Sequence, residues 1–227
     1  MNHEHVLSKA FYNLIKNAAG EARLEELGWE ELNDKATTLY QQGRFSKAIC
    51  AGKEALKVAE NTFGPVHANV ATVTNNLALL YSEQGRYAEA EPLYKQALEI
   101  GKKTFGPDHP SVATFLNNMA ELYHLQGKYV DAIPLHKRSL EILEAASGPD
   151  HPDVATSLSR LAILFVDQGE YAEVESLYER ALKIRENTLG IDHPDVAVVL
   201  ENMAEFCEEI GKKEKAVKLT ERAKKIH

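Results

Sequence analysis

Nine histidines, two cysteines and a short glycine-lysine-threonine run are the residues with chemistry to offer in this 227-residue chain. Gly101-Lys102-Lys103-Thr104 has the end of a phosphate-binding loop, but neither its upstream glycine nor the strand that would lead into it. His3-Glu4-His5 spaces its imidazoles too closely for a zinc-binding helix, which needs them on one face a turn apart. His109, His151 and His193 each stand in an Asp-His-Pro triplet, and His67 shares their register, 42 residues from one to the next. If copies stack as packed helices, equivalent atoms lie about 10 Å apart. A zinc–nitrogen bond is about 2 Å, so these histidines cannot share a metal and are expected to serve the starts of helices. His124 stands outside that register and is a candidate surface ligand residue. No nucleophile–base pair follows from spacing, so no catalytic residue, metal or cofactor is expected, and the chain reads as a non-enzyme.

The elements that carry these residues recur. Gly43, Gly85, Gly127, Gly169 and Gly211 are evenly spaced, and so are Gly64, Gly106, Gly148 and Gly190. A period of 42 residues with two helical patterns inside it predicts stacked helix pairs rather than one closed core. In the copy 109–148, Pro110 suits a first helical turn, where its missing N–H costs nothing. The residue before proline is pushed to extended geometry, as an N-cap requires. Ala113, Leu116, Ala120 and Tyr123 then fall on one buried face. Gly127 ends the helix, a second runs from about Tyr129 to Ala145, and Gly148-Pro149 breaks it.

Three columns of small residues explain how two helices can lie close. They are Ala36, Ala78, Ala120, Ala162, Ala204; Ala48, Ala90, Ala132, Val174, Ala216; and Ala55, Ala97, Ser139, Ala181, Ala223. An aromatic column, Phe45, Tyr87, Tyr129 and Tyr171, is expected to fill the wider gap after each turn, and Lys213 breaks it in the last copy.

This pattern resembles the tetratricopeptide repeat, in the 42-residue form of the kinesin light chain type, across roughly residues 29 to 226. The resemblance implies an all-α, right-handed superhelical solenoid of antiparallel helix pairs. Five repeats are expected at about 29–64, 67–106, 109–148, 151–190 and 193–227, behind an N-terminal capping helix region, 1–28. It implies a non-enzymatic protein–protein interaction scaffold that takes an extended peptide or helix in a concave groove lined by the first helix of each pair. In that family, asparagine and arginine at one groove column hold a peptide main chain. Here the column is Asn76, Asn118, Arg160 and Asn202, with Asn75, Asn117, Glu121 and His124 beside it. The opposing reading is a merely polar, solvated face. The family's long heptad segment is not found, so the motor role is not carried over.

Charge narrows the partner. The net charge is −8, which disfavours nucleic acid and anionic membranes. The inner face sets Arg160 against Glu83, Glu121, Asp167, Glu201, Glu205, Glu208 and Glu209, so a strongly acidic ligand is not expected. No apolar run is long enough to span a bilayer, and no signal peptide opens the chain. Cys50 and Cys207 fall in the first and last copies, too far apart to pair. They are expected to be reduced packing thiols of a cytoplasmic protein. Val6, Leu7, Ala10, Phe11, Leu14 and Ile15 make an apolar helical stripe. It is read as a cap on the first repeat or, alternatively, as a homodimer contact in a self-associating assembly module. The last helix, Lys212 to His227, is lysine-rich and reads as a solvated outer face or as a basic docking patch.

Overall fold

The computed structural model describes residues 21–226, with side chains from Gly28 on. The apolar stripe of Val6 to Ile15, and with it the choice between cap and dimer contact, lies outside the described residues. Among these the chain is all-α: ten helices and no strand. Two compact units divide it, one ending at Pro107 and the other starting at Asp108. The first holds α1 (Glu21–Gln41), α2 (Phe45–Phe63), α3 (Ala68–Ser82) and α4 (Tyr87–Thr104). The second holds α5 (Pro110–Leu125), α6 (Tyr129–Ser147), α7 (Pro152–Gln168), α8 (Val174–Leu189), α9 (Pro194–Glu209) and α10 (Lys213–Ala223). Within each unit every helix packs on the next; α1 also meets α3, and α7 also meets α9. The first helix runs through Gly28, where the capping region was expected to give way to the repeats.

The helix starts are made by histidine itself. His67, His109, His151 and His193 are N-caps in extended geometry. Their Nδ1 atoms accept from the backbone N–H of Asn69, Ser111, Asp153 and Asp195 at 3.1–3.2 Å. This satisfies one of the donors that a helix leaves orphaned at its first turn. His67 is followed by Ala68 rather than proline and caps all the same, so the imidazole, not the proline, is the common device. Only an unprotonated Nδ1 can accept, because a protonated one has no lone pair.

The helix ends use glycine. At Gly127 (φ 68°) the chain turns left-handed, and Gly127 N–H donates to His124 O while Lys128 N–H donates to Tyr123 O, both at 2.8 Å. This is a Schellman closure. The second helix of that pair ends at Gly148, with φ 89° and ψ 159°, a region closed to any residue with a Cβ.

Between start and stop, the small columns are where helices touch. Ala48, Ala55, Ala90, Ala97, Ala120, Ala132, Ser139, Ala162 and Ala181 are wholly buried. Ser139 keeps the fit by donating its hydroxyl to Ala113 O at 2.9 Å. Val174 is the exception in its column. It is also wholly buried, but α8 begins at Val174, whereas α2, α4, α6 and α10 begin three residues earlier in their own repeats. Two γ-carbons do not fit a gap cut for a methyl group, and the first turn of this helix is left as a plain turn.

The aromatic column fills its gap only in part: Tyr87 and Tyr129 are half-buried. Phe45 and Tyr171 are 42% and 38% exposed, and each ring only leans on a neighbour, Phe45 on Tyr40 and Tyr171 on Phe206. The interior is filled by another column that the sequence did not advertise: Tyr94, His136 and Tyr178, none more than 2% exposed. On the outer side of the second unit, second helices are tied in order by ion pairs. Arg180 reaches Glu144, Arg222 reaches Glu186, and Lys212 and Lys215 converge on Glu175.

Ala120→Leu and Ala132→Leu are each expected to cost about 1–3 kcal/mol by overpacking, read as a lowered urea midpoint. His109→Ala is expected to cost about 0.5–2 kcal/mol, the usual loss for a side-chain N-cap. An unchanged midpoint for His109→Ala would mean that water replaces the imidazole at no cost.

Candidate functional site

In each unit the candidate residues sit on the first helix of a pair. A helix turns about 100° per residue, so neighbours such as Asn75 and Asn76 cannot face the same way. In the first unit Asn76 is half-buried and its amide donates to Asn33 Oδ1 at 3.0 Å. Asn75 is only 4% exposed. It was expected on the open face and instead lies in the packing, so it is out of a ligand's reach. Glu83 accepts from the Tyr40 hydroxyl at 2.9 Å, and that bond raises the Tyr40 phenol above its usual pKa. Leu79, 39% exposed, is the apolar residue left open there.

The second unit brings more together. Asn118 on α5, Arg160 on α7 and Asn202 on α9 are half-buried at one repeated position. Asn118 is engaged within the protein. Arg160 makes no hydrogen bond or ion pair among the described residues, and it is the one lysine or arginine on these three helices. His124 bridges two helices: its Nε2 lies 2.5 Å from Asp167 Oδ2 on α7, and its Nδ1 lies 3.8 Å from Glu121. Glu209 accepts from the Tyr171 hydroxyl at 2.5 Å. Several carboxylates of this face are thus held by internal hydrogen bonds, which leave them their negative charge. Glu121, Asp167 and Glu209 are paired and Glu201 is engaged. Glu205 and Glu208 remain exposed, without an ion pair or hydrogen bond among the described residues. Leu125 and Val198, 49% and 50% exposed, offer apolar contacts.

Asn117 turns inward. Its Oδ1 lies 2.8 Å from Nδ1 of His136 on α6, the second helix of the same pair. His136 is 1% exposed. Burial, and next the nearby charges of Arg160 and His124, push it down to about pKa 3, so it is neutral near pH 7. Nothing in the sequence plainly marked this residue as a site. Its signal was faint: a histidine at a register position where the adjacent repeats carry Tyr94 and Tyr178. Among the described residues no group of three or more His, Cys, Asp or Glu is placed to hold a metal. None of the described helices is long and apolar enough to cross a membrane.

The profile of the tetratricopeptide repeat matches residues 31–103, 69–145, 111–187 and 167–227. The chain belongs to the tetratricopeptide repeat family. Kinesin-light-chain-like proteins are among the solved structures that it is similar to. BtubC (BKLC) of P. vanneervenii is 25% identical with a TM-score of 0.80, over 96% of this chain and 90% of that one. A kinesin-light-chain-like protein of Podosopora anserina with nearly identical TPR-like repeats is 23% identical, with a TM-score of 0.77, over 90% of this chain and 95% of that one. PilF of Pseudomonas aeruginosa is similar in fold alone, at 15% identity and a TM-score of 0.66, over 89% of this chain and 78% of that one. No curated protein matches the sequence.

The buried histidine gives a pH prediction with a definite sign. A folded pKa of about 3, against an ordinary 6.5, means that the unfolded chain binds the proton and the folded chain refuses it. The stability is fully present above pH 6.5. Below it, stability is expected to fall by about 1.4 kcal/mol per pH unit on this account, down towards pH 3. Urea denaturation from pH 7.5 to 4.5 should show a steeper loss for the wild type than for His136→Tyr, which places no group titrating in that range at this position.

Proposed function

We propose that the chain is a non-enzymatic scaffold that binds another protein through an extended peptide or short helix laid along the first helices of its second unit. The family's fold is typically a protein-interaction module, and this reading rests on that and on one observation. Arg160 is a half-buried residue that makes no hydrogen bond or ion pair among the described residues, on a surface where most carboxylates already have a partner. Its guanidinium can take a ligand's oxygen atoms in charge-assisted hydrogen bonds. Asn202, one repeat away, supplies an amide for a main chain, and Asn118 on the other side can do so only by exchanging the internal partner that it already has. The first unit contributes less, since Asn75 is buried and Asn76 is held by Asn33.

Selectivity is assigned to what remains open. Glu205 and Glu208 favour a lysine or arginine near one end of the ligand, and Leu125 and Val198 favour apolar side chains. A run of aspartate and glutamate is disfavoured. Cys50 and Cys207 are both free thiols, which fits a reducing, cytoplasmic setting.

The test is calorimetry on overlapping peptides from a protein captured with this chain from the native cell extract, at two salt concentrations. Asn118→Ala and Asn202→Ala are each expected to weaken binding by about 0.5–1.5 kcal/mol. Arg160→Ala is expected to cost more, about 1.5–3 kcal/mol, as loss of a charge-assisted bond. Binding should weaken as salt rises. Affinity untouched by all three substitutions would move the interaction elsewhere, and self-association would then be the reading to pursue.

A further inference from the structure

The interior histidine bears on the ligand as well as on stability. His136 Nδ1 lies 2.8 Å from the oxygen, not the nitrogen, of Asn117's amide. An oxygen can only accept, so Nδ1 carries the proton and Nε2 carries the lone pair. The neighbourhood agrees with that tautomer. Nε2 is buried and has no hydrogen-bond partner, and the positive charge of Arg160 acts on this ring. A buried N–H without a partner is rarer than a buried lone pair without one, which also places the proton on Nδ1. The adjacent repeats place tyrosine at this position, Tyr94 and Tyr178. A phenol can donate or accept and would leave the facing amide free to turn over. A histidine with its proton fixed at Nδ1 does not.

We infer that His136 is a positioning residue that locks the Asn117 amide with its oxygen inward and its N–H₂ outward, so that Asn117 offers a ligand only donors, a subsite for a carbonyl or carboxylate oxygen. The amide nitrogen of Asn117 has no partner among the described residues and is not sealed from solvent. A stretch of ligand that presents an N–H at this place would leave that amide unsatisfied. The subsite thus sets the direction in which a peptide can lie, because main-chain N–H and C=O groups alternate along it. This rests on the proposed peptide-binding face, yet the lock itself can be read without any ligand.

The experiment uses the full chain and the variants His136→Phe and His136→Gln. Phenylalanine keeps a ring in the core and removes the donor; glutamine restores an N–H that can reach Asn117. Nitrogen-15 spectra at pH 7 report which ring nitrogen of His136 is protonated and whether the Asn117 amide protons are held in one environment. Protonated Nδ1 is expected, with the held amide lost in His136→Phe and kept in His136→Gln. An unprotonated Nδ1 overturns the inference whatever a peptide does.

The ligand arm uses acetyl-Lys-Leu-Ala-Leu-Ala, once with a free carboxylate and once amidated, by calorimetry. His136→Phe is expected to weaken binding by about tenfold, and His136→Gln to restore it to within about threefold, the scale of one hydrogen bond. Loss confined to the free-acid peptide assigns the subsite to a terminal carboxylate. Equal loss in both assigns it to a main-chain carbonyl. Equal binding by His136→Phe and wild type, with both folded, overturns the positioning role. If the wild type binds neither peptide while the nitrogen spectra stand, the proposed peptide face is what fails for this probe, and the lock is kept.

Discussion

Helices in this protein touch through columns no wider than a methyl group, and the rest of the structure follows from that limit. At alanine width two backbones come so close that nothing large fits between them, so bulk must go elsewhere. It goes to a second layer, where Tyr94, His136 and Tyr178 are buried almost completely. Polar side chains that flank the alanines are pressed towards these large residues or out to the surface, depending on a single step along the helix. That step separates Asn117, which meets His136, from Asn118 beside it. Val174 shows the limit from the other side, since one residue larger than alanine goes with a helix that starts late.

Period, glycine stops and small columns were legible in the amino acids because each is a local rule repeated in place. Backbone geometry demands glycine at Gly127 and Gly148, and close packing demands alanine at Ala120 and Ala132. The histidine caps were half legible. Their place at a helix start was plain, but imidazole is not among the usual capping side chains, so its hydrogen bond to Ser111 or Asp195 was not. The site was harder to read. Glu83 and Asp167 look like free acids on a helix face, yet each meets a partner 43 residues earlier, Tyr40 and His124. Such pairs depend on how repeats stack, a distance no single helical pattern contains. The bond from Asn117 to His136 was hidden for the same reason, since it joins two helices of one pair. Asn75 was misjudged because a repeated Asn-Asn invites one role for two residues that point about 100° apart.

The net charge of −8 does not show how this surface is ordered. Its carboxylates are mostly held by a phenol, an imidazole or another internal partner, bonds that fix their positions and leave them their charge. On the proposed face one guanidinium, two open glutamates and two or three apolar side chains would be left for a ligand, and recognition by so few groups would depend on how firmly each is held.

The ion pairs along the second helices have a consequence for assembly of the chain. Repeats that share one packing register can join in the wrong order during folding, one of them being skipped, and small columns that are mostly alanine offer little to prevent the error. The outer charges do not repeat so faithfully. Were the fourth repeat looped out, Arg222 would meet Glu144 in place of Glu186 and be content. Lys215, however, would find Ile133 and Lys137 where Glu175 and Glu179 now stand. Each surface pair is worth at most about 1 kcal/mol, but turning attraction into repulsion counts twice. The lysine-rich last helix therefore carries an address: it is matched to one neighbour, and its charges proofread the order of an otherwise interchangeable stack.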